Sequence, residues 1–454
     1  MASTRRRRCY SMGSFLVLAI YFTSKATFEM TKDLVRDDIA YTKSQLQKLE
    51  ISQQIDLANR HIALTSNTTM KYKHPRPSCW KLLEGDKREI EKVKMAAISP
   101  KRSAIADVDF INLTRNCLQF QENRGYIMNS SDLEKSFPIA FSILVYKNAH
   151  QTERLLRAIY RPQNIYCIHV DAKSPIILQR ALRSIASCFD NVFLASKLEN
   201  VIYAGFPRLQ AELNCMRDAM HRREKWKYYI NLASQSFPLR TNLEMVEILK
   251  LYNGANDIEG ITGSRLELVK NRFRRSWEVV HENGNTKLKI TDKLKDHPPF
   301  NISIVRGSAY GIFSRAFVDY ILNDPAARAL LDWSRDTYSP DEHYWATLHH
   351  LQINPQLNTP GGYTGKPDNK PWLAVWAAWG GVDPCNGRWQ RGVCVLGVGD
   401  LHRLVTRKEF FVNKFLDDFE PEALDCAEEW IHARALSALP MDLGFYQTLP
   451  FLNR

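Results

Sequence analysis

A chain of 454 residues holds two or three average domains, or one large α/β domain with additions. At 44% hydrophobic and 24% charged residues, with 20 Gly and 20 Pro, its composition excludes collagen-like, mucin-like and disordered classes. The 62 Lys and Arg against 49 Asp and Glu leave a net charge of +13, which suits an anionic partner (nucleic acid, membrane surface or phosphorylated substrate) without selecting among them.

Arg5, Arg6, Arg7 and Arg8 precede an uncharged stretch, Cys9 to Thr23, with an apolar centre from Phe15 to Phe22. Fifteen residues is short against the ~20 of an average span. With no small-x-small cleavage site after it, the run reads as an uncleaved signal anchor suited to thin membranes, and a cleaved signal peptide is the alternative. Arginines before an anchor stay cytoplasmic, so the rest of the chain is expected in the secretory lumen. The expected division is a cytoplasmic tail at 1–8, a transmembrane signal anchor at 9–28, a stem at 29–77 and a lumenal catalytic domain at 78–454. In the stem, Val35, Ile39, Leu46, Leu49, Ile55 and Ile62 keep an imperfect helical spacing broken by Thr42, Gln53 and Asp56. That favours a solvated spacer over a self-associating coiled coil, and leaves a homodimer open.

From residue 137 the pattern alternates. Phe137 to Tyr146 is a continuous apolar run of buried-strand type, followed by a helical pattern through Leu155, Leu156 and Ile159 that stops at Arg161-Pro162. Ile165 to Asp171 is a second strand, and Ser174-Pro175 opens the next helix with an N-cap residue and Pro at the first helical position. Asn191 to Ala195 is a third strand, Pro207 to Met220 a helix and Tyr228 to Ala233 a fourth strand. Thr241 to Leu251 is a helix with a Thr241/Glu244 capping box and a stop at Gly254. Such alternation predicts an α/β fold, a mostly parallel Rossmann-like sheet covered on both faces that binds ligands beyond the carboxyl ends of its strands.

Chemistry is therefore sought at strand ends. Asp171 stands at one, where it serves either a ribose or base or its own turn. No G-x-G-x-x-G or P-loop is present. The D-x-D at Asp107 to Asp109 precedes the first strand, poorly placed to hold a metal diphosphate. Trp372, Trp376 and Trp379 have helical spacing, which makes a core stripe the plain alternative to sugar stacking. Ser339-Pro340-Asp341-Glu342 spells a capping box, so Glu342 is either a cap or a carboxylate base. Apart from Cys9, eight cysteines remain, an even number, without C-x-x-C or His at zinc-ligand spacing. Four N-x-S/T sequons, at Asn67, Asn112, Asn129 and Asn301, fit a glycosylated lumenal protein.

From Cys79 to about Trp430 the chain resembles the animal β-1,6-N-acetylglucosaminyltransferases of the core 2, O-glycan branching type, in glycosyltransferase family 14. The strings that carry the resemblance are FPIAFS (137–142), LLRAIYRPQNIYCIHVDAKSP (155–175), SCFDNVFLASKLENVIYA (187–204), RLQAELNCM (208–216), WKYYINLASQSFPLRTNLE (226–244), GSAY (307–310), DTYSPDEHYWATL (336–348) and GVGDL (397–401). The resemblance implies a GT-A-like fold and inverting transfer without a metal or other cofactor. It implies a UDP-GlcNAc donor held by Leu144, Val145, Tyr146, Asp171, Ala172, Lys173 and Tyr203, with the diphosphate on Arg391 and Lys414. On the acceptor side it implies Glu259, Arg272 and Trp376, with Glu342 as catalytic base and an O-glycan or glycoprotein as acceptor. The implied disulfides are Cys79–Cys426, Cys117–Cys188, Cys167–Cys215 and Cys385–Cys394. The Arg5 to Arg8 cluster is similar to signals read by a Golgi retention adaptor, which implies a single-pass type II Golgi membrane protein.

The family pattern is not fully kept. Tyr146 stands for a nucleotide-contacting His and Ala233 for a free Cys, and Ser236 to Arg240 replaces Asp-Phe-Pro-Ile-Lys. On the acceptor side Val269 stands for a Lys and Ala378 for a Tyr. Transfer of another sugar, such as xylose to protein Ser, and a non-catalytic lectin or scaffold are the competing readings. Nucleic-acid binding is disfavoured by the lack of a basic stripe with interleaved aromatics.

Overall fold

The computed structural model describes residues 77–96, 104–282, 284–437 and 440–452. The expected tail, the anchor and all but the last residue of the stem lie outside these, as does Asn67. Among the described residues no helix is long and apolar enough to cross a membrane.

In chain order the strands are β1 (Ile139–Val145), β2 (Ile165–Val170), β3 (Val192–Leu194), β4 (Tyr228–Ala233), β5 (Ser236–Pro238), β6 (Arg275–Glu282), β7 (Asn285–Leu294), β8 (Ile312–Ser314), β9 (Val375–Trp376), β10 (Arg388–Gln390), β11 (Val393–Val395) and β12 (Phe411–Asn413). The central sheet has the order β3-β2-β1-β4-β8, parallel except for its last strand. Its pairing sets Ala140 against Ile165 and Ile139 against Tyr228. β1 and β2 are buried almost throughout because helices cover both faces, which is why their sequences are continuous rather than alternating apolar runs. Successive β1 side chains enter different cores. Phe141 and Ile143 pack with Leu156, Ile168 and Ile230, whereas Ala140 packs with Ile165, Tyr229, Phe313 and Trp345.

The helices between strands fall close to their predicted bounds. Thr241 and Glu244 form the predicted box on helix Asn242–Tyr252, with Glu244 N donating to Thr241 Oγ1 at 3.3 Å and Thr241 N to Glu244 Oε2 at 2.9 Å. One start differs. The second crossover helix runs Ile176–Ala186 with Pro175 in the cap position, and Ser174 instead donates its hydroxyl to Tyr146 O at 2.9 Å. The Trp372, Trp376, Trp379 spacing is not helical either. Pro371 starts an extended segment whose β9 pairs with β12, setting Trp376 against Val412.

The D-x-D pair is structural. Asp107 accepts from Ala149 N at 2.8 Å at the start of helix Ala149–Ile159, and Asp109 accepts from Ala106 N. All eight described cysteines are bridged, as Cys79–Cys426, Cys117–Cys188, Cys167–Cys215 and Cys385–Cys394. Asn112, Asn129 and Asn301 are exposed.

Candidate functional site

The strand order of the central sheet reverses direction at β1, between β2 and β4, and crevices open beyond the carboxyl ends of parallel strands at such a point. Three loops meet there. Leu144 O accepts from Ser234 N at 3.1 Å and Val145 O from Asp171 N at 2.8 Å, so the ends of β1, β2 and β4 are joined by backbone bonds. Tyr146, half exposed, receives a hydrogen bond on its hydroxyl from Gln235 Nε2 at 3.0 Å.

Asp171 is buried and both of its oxygens are occupied. Oδ1 accepts from Lys173 N at 3.1 Å and Val201 N at 3.3 Å, and Oδ2 lies 2.9 Å from Lys173 Nζ. Ala172 N donates to Glu199 O at 3.0 Å. The turn-building reading of Asp171 is thus the one its contacts express: it fixes Lys173 and the 199–203 loop. That loop ends in Tyr203, whose 66% exposed ring lies under the Arg391 guanidinium at 4.8 Å.

Arg391 sits at the tip of the β10–β11 hairpin. Arg391 and Gly392, the two residues of its turn, have φ of 56° and 76°. Positive φ at both positions is what a tight type I′ turn requires. The Cys385–Cys394 bridge clasps the base of this hairpin. Asp400 approaches both sulfurs, but they are bonded to each other and Asp400 accepts from Asn386 N and Gly397 N, so this group is structural. Lys414 Nζ donates to Gln390 O at 3.3 Å beside Arg391. Burial pushes its ammonium down from the usual lysine range, and Arg391, Arg388 and Lys147 add to that.

Glu342 anchors the second half. The capping box spelled by Ser339 and Glu342 does not form: Ser339 has left-handed φ and ψ of 47° and 59° and makes no side-chain cap, and Pro340–Glu342 is a single 3₁₀ turn. Glu342 Oε2 instead accepts from Arg272 Nη1 at 2.6 Å and Arg306 Nη2 at 3.2 Å, leaving Oε1 without a protein partner among the described residues. Behind it, Gly307 N donates to Glu342 O at 2.7 Å, and a Cβ on Gly307 would come within 2.3 Å of Glu259 O. Glycine is the residue that lets these two acid-bearing segments meet. Burial raises the Glu259 carboxyl above the usual range; Glu342 adds to the rise while Arg306 and Arg265 oppose it. His343, next in sequence, is buried. Burial, with Lys295 and Arg272, pushes its imidazole down to about 3, and Nε2 lies against Thr337 Oγ1 at 3.4 Å.

Tyr338 joins the two halves. Its N–H donates to Arg272 O at 2.7 Å, and its ring lies 5.2 Å from the Arg272 guanidinium and 4.6 Å from the Trp277 ring. Burial pushes its phenol up, with Tyr203 the next contributor. Ser339 N donates to Ala204 O at 2.7 Å. Glu342, Arg272 and Tyr338 therefore lie on one side, Tyr203, Arg391 and Lys414 on the other, and the Ser339–Ala204 backbone bond ties the two segments together. Trp376 is in neither group. Its ring is 7% exposed and flanked by Arg403 and Arg407 at 4.8 and 4.0 Å, in a core with Phe237, Val412 and Trp430. Arg306, Tyr338, Lys147 and Arg388 escaped sequence reasoning, although Arg306 directly precedes the GSAY string and Tyr338 lies inside DTYSPDEHYWATL.

The mixed α/β architecture agrees with comparisons to known proteins. The family model for the core-2/I-branching enzymes matches residues 139–405. A β-1,3-galactosyl-O-glycosyl-glycoprotein β-1,6-N-acetylglucosaminyltransferase 3 of Ovis aries is 35% identical over 449 residues, covering 95% of this chain and 96% of its own. A Homo sapiens β-1,3-galactosyl-O-glycosyl-glycoprotein β-1,6-N-acetylglucosaminyltransferase is 40% identical over 376 residues, covering 80% and 86%. A protein of that name from bovine herpesvirus 4 is 38% identical, covering 79% and 83%. With more than half of its length inside that model and relatives matched nearly end to end, the chain belongs to the core-2/I-branching enzyme family.

Proposed function

We propose that the protein transfers GlcNAc from UDP-GlcNAc to the 6-hydroxyl of an acceptor sugar, GalNAc of Galβ1-3GalNAc on Ser or Thr, with inversion and without a metal. The observation that carries this is a carboxylate with one bare oxygen, Glu342 Oε1, on a segment whose Ser339 N bonds to Ala204 O, next to the Tyr203 ring on which Arg391 rests beside Lys414. Inverting transfer uses these two parts. Glu342 Oε1 takes the proton of the 6-hydroxyl as that oxygen bonds to the anomeric carbon. The bond from that carbon to the diphosphate oxygen breaks with the electron pair going to UDP. Arg391 and Lys414 then face the charge developing on the leaving group, the role a metal plays elsewhere. Arg272 and Arg306 orient the base through Oε2. The relatives' names, which specify a galactosyl-O-glycosyl-glycoprotein, support the acceptor. The same reading puts the enzyme in the Golgi membrane, with residues 9–28 as its anchor and the catalytic part in the lumen.

One observation favours a different acceptor. Trp376 is enclosed by two guanidinium groups and Ala378 is fully buried, so the acceptor wall on that side lacks the contacts that the resemblance implies. Transfer from UDP-GlcNAc to a panel of O-glycan acceptors, in EDTA and then in Mn²⁺, tests both. The expected outcome is EDTA-resistant formation of a β-1,6 linkage on Galβ1-3GalNAc. Transfer only to another glycan replaces the acceptor, loss in EDTA restored by Mn²⁺ removes the cation-pair mechanism, and no transfer to any glycan leaves a non-catalytic member.

A further inference from the structure

Lys414 is half-buried, and Arg391, Arg388 and Lys147 add to the burial that pushes its ammonium down. Two of them are Lys147 and Arg388, to which the family resemblance gives no role. Lys147 follows Tyr146 at the end of β1, beside the reversal point of the sheet, and Arg388 opens β10, three residues before Arg391. They are near enough to share one counter-ion: Asp418 lies 3.8 Å from Lys147 Nζ and 3.8 Å from Arg388 Nη2. The Arg388 guanidinium also rests on Phe419 at 4.8 Å. Arg388 and Arg391 share the β10–β11 hairpin, Lys414 Nζ bonds to Gln390 O of that hairpin, and Asp418 ties Lys147 to Arg388, so four side-chain cations gather around one hairpin. Converging like charges oppose folding, and the cost is relieved by a bound polyanion. A monovalent anion leaves most of it in place.

We infer that Lys147 and Arg388, with Arg391 and Lys414, form a four-cation cradle that grips both phosphates of the donor and selects a nucleoside diphosphate over a monophosphate. The inference rests on the UDP-sugar reading of the site. Lys147 from the β1 end and Arg388 from the β10 start extend the Arg391–Lys414 pair of that reading into the cradle. Asp418 bridges Lys147 and Arg388, and the phosphates compete with it for them. The cradle ends at the diphosphate, so the uridine is not part of what it reads.

Calorimetric binding of UDP, UMP and uridine to the purified full chain tests this. Lys147→Gln and Arg388→Gln should each weaken UDP about fivefold, the upper range for partly exposed ion pairs, and the double variant about 25-fold if the effects add. Uridine affinity should not change, UMP should lose less than UDP, and Lys147→Arg and Arg388→Lys should keep most UDP affinity. Both positions are about half exposed, so melting curves are expected to match the parent. UDP binding that is equal in the parent and the double variant overturns the cradle while the UDP-sugar reading stands. Equal losses for UDP and uridine also overturn it, since the residues would then support the pocket as a whole. A parent chain that binds none of the three defeats the UDP-sugar reading itself, and the cradle with it.

Discussion

Glu342 occupies a string whose plainest local meaning is a helix start, and the backbone declines it. A capping role tolerates glutamine, which still accepts a hydrogen bond; a proton acceptor does not. Glu342→Gln should therefore lower turnover about a hundredfold or more and shift stability by no more than ~1 kcal/mol, with UDP binding retained. Near-normal turnover in that variant would leave the base unassigned. Sequence alone could not decide this, because left-handed φ at Ser339 depends on its bond to Ala204, more than 100 residues away. Asp171 was legible as a strand-end acid and its bond from Lys173 N is a local turn, but its other partner, Val201, comes from a loop that no local pattern pairs with it. Arg306 has no signature at all: a lone arginine acquires meaning only when Gly307 lets its segment approach Glu259.

At the scale of elements, the first four strands of the central sheet, the short β3 included, and the capped helices were readable, and the short strands after β4 were not. β1, β2 and β4 announce themselves because burial on both faces demands unbroken apolar runs. β5, β9 and β12 are two or three residues each, held by one another rather than by propensity, and this is why the tryptophans near 376 mimic a helix. The β6–β7 hairpin left a usable sign, Asn283-Gly284, in the sequence, since Asn-Gly is the strongest tight-turn dipeptide. The β10–β11 hairpin makes a sharper prediction. Arg391 holds a conformation that costs a non-glycine residue about 1–2 kcal/mol, and glycine returns part of that gain as unfolded-state entropy. Arg391→Gly should leave thermal stability equal or raise it by up to about 1 kcal/mol, while transfer falls about a hundredfold. A variant that is less stable, or that stays active, shows that the side chain has a different purpose.

Across the whole molecule, helix Ala149–Ile159 is locked to the late helix Pro421–Ser437 by charge. Arg154 pairs with Asp425 at 2.8 Å and with Glu428 at 2.7 Å, Arg157 reaches Glu428, and Glu153 holds Arg124. Burial alone would raise the Glu428 carboxyl, but Arg157, Arg154 and Arg124 hold it down at about 2. A depressed carboxyl contributes stability above its unfolded value and loses it as pH falls toward the folded one. The melting temperature should thus drop between pH 4.5 and about 2, and Glu428→Gln should flatten that slope, as scanning calorimetry against pH would show. An unchanged slope would assign acid lability to other groups. The same late helix is bonded covalently to the first described one, Cys79–Cys426, across 347 positions of chain. Trypsin cutting at Lys287 or Lys289 in the exposed hairpin should accordingly give two fragments on a reducing gel and one band without reductant. In mechanical terms the bridge is a bypass. Tension applied to the segment ahead of residue 79 has a covalent route through the disulfide into the last long helix, in parallel with the main chain that runs on through the sheet.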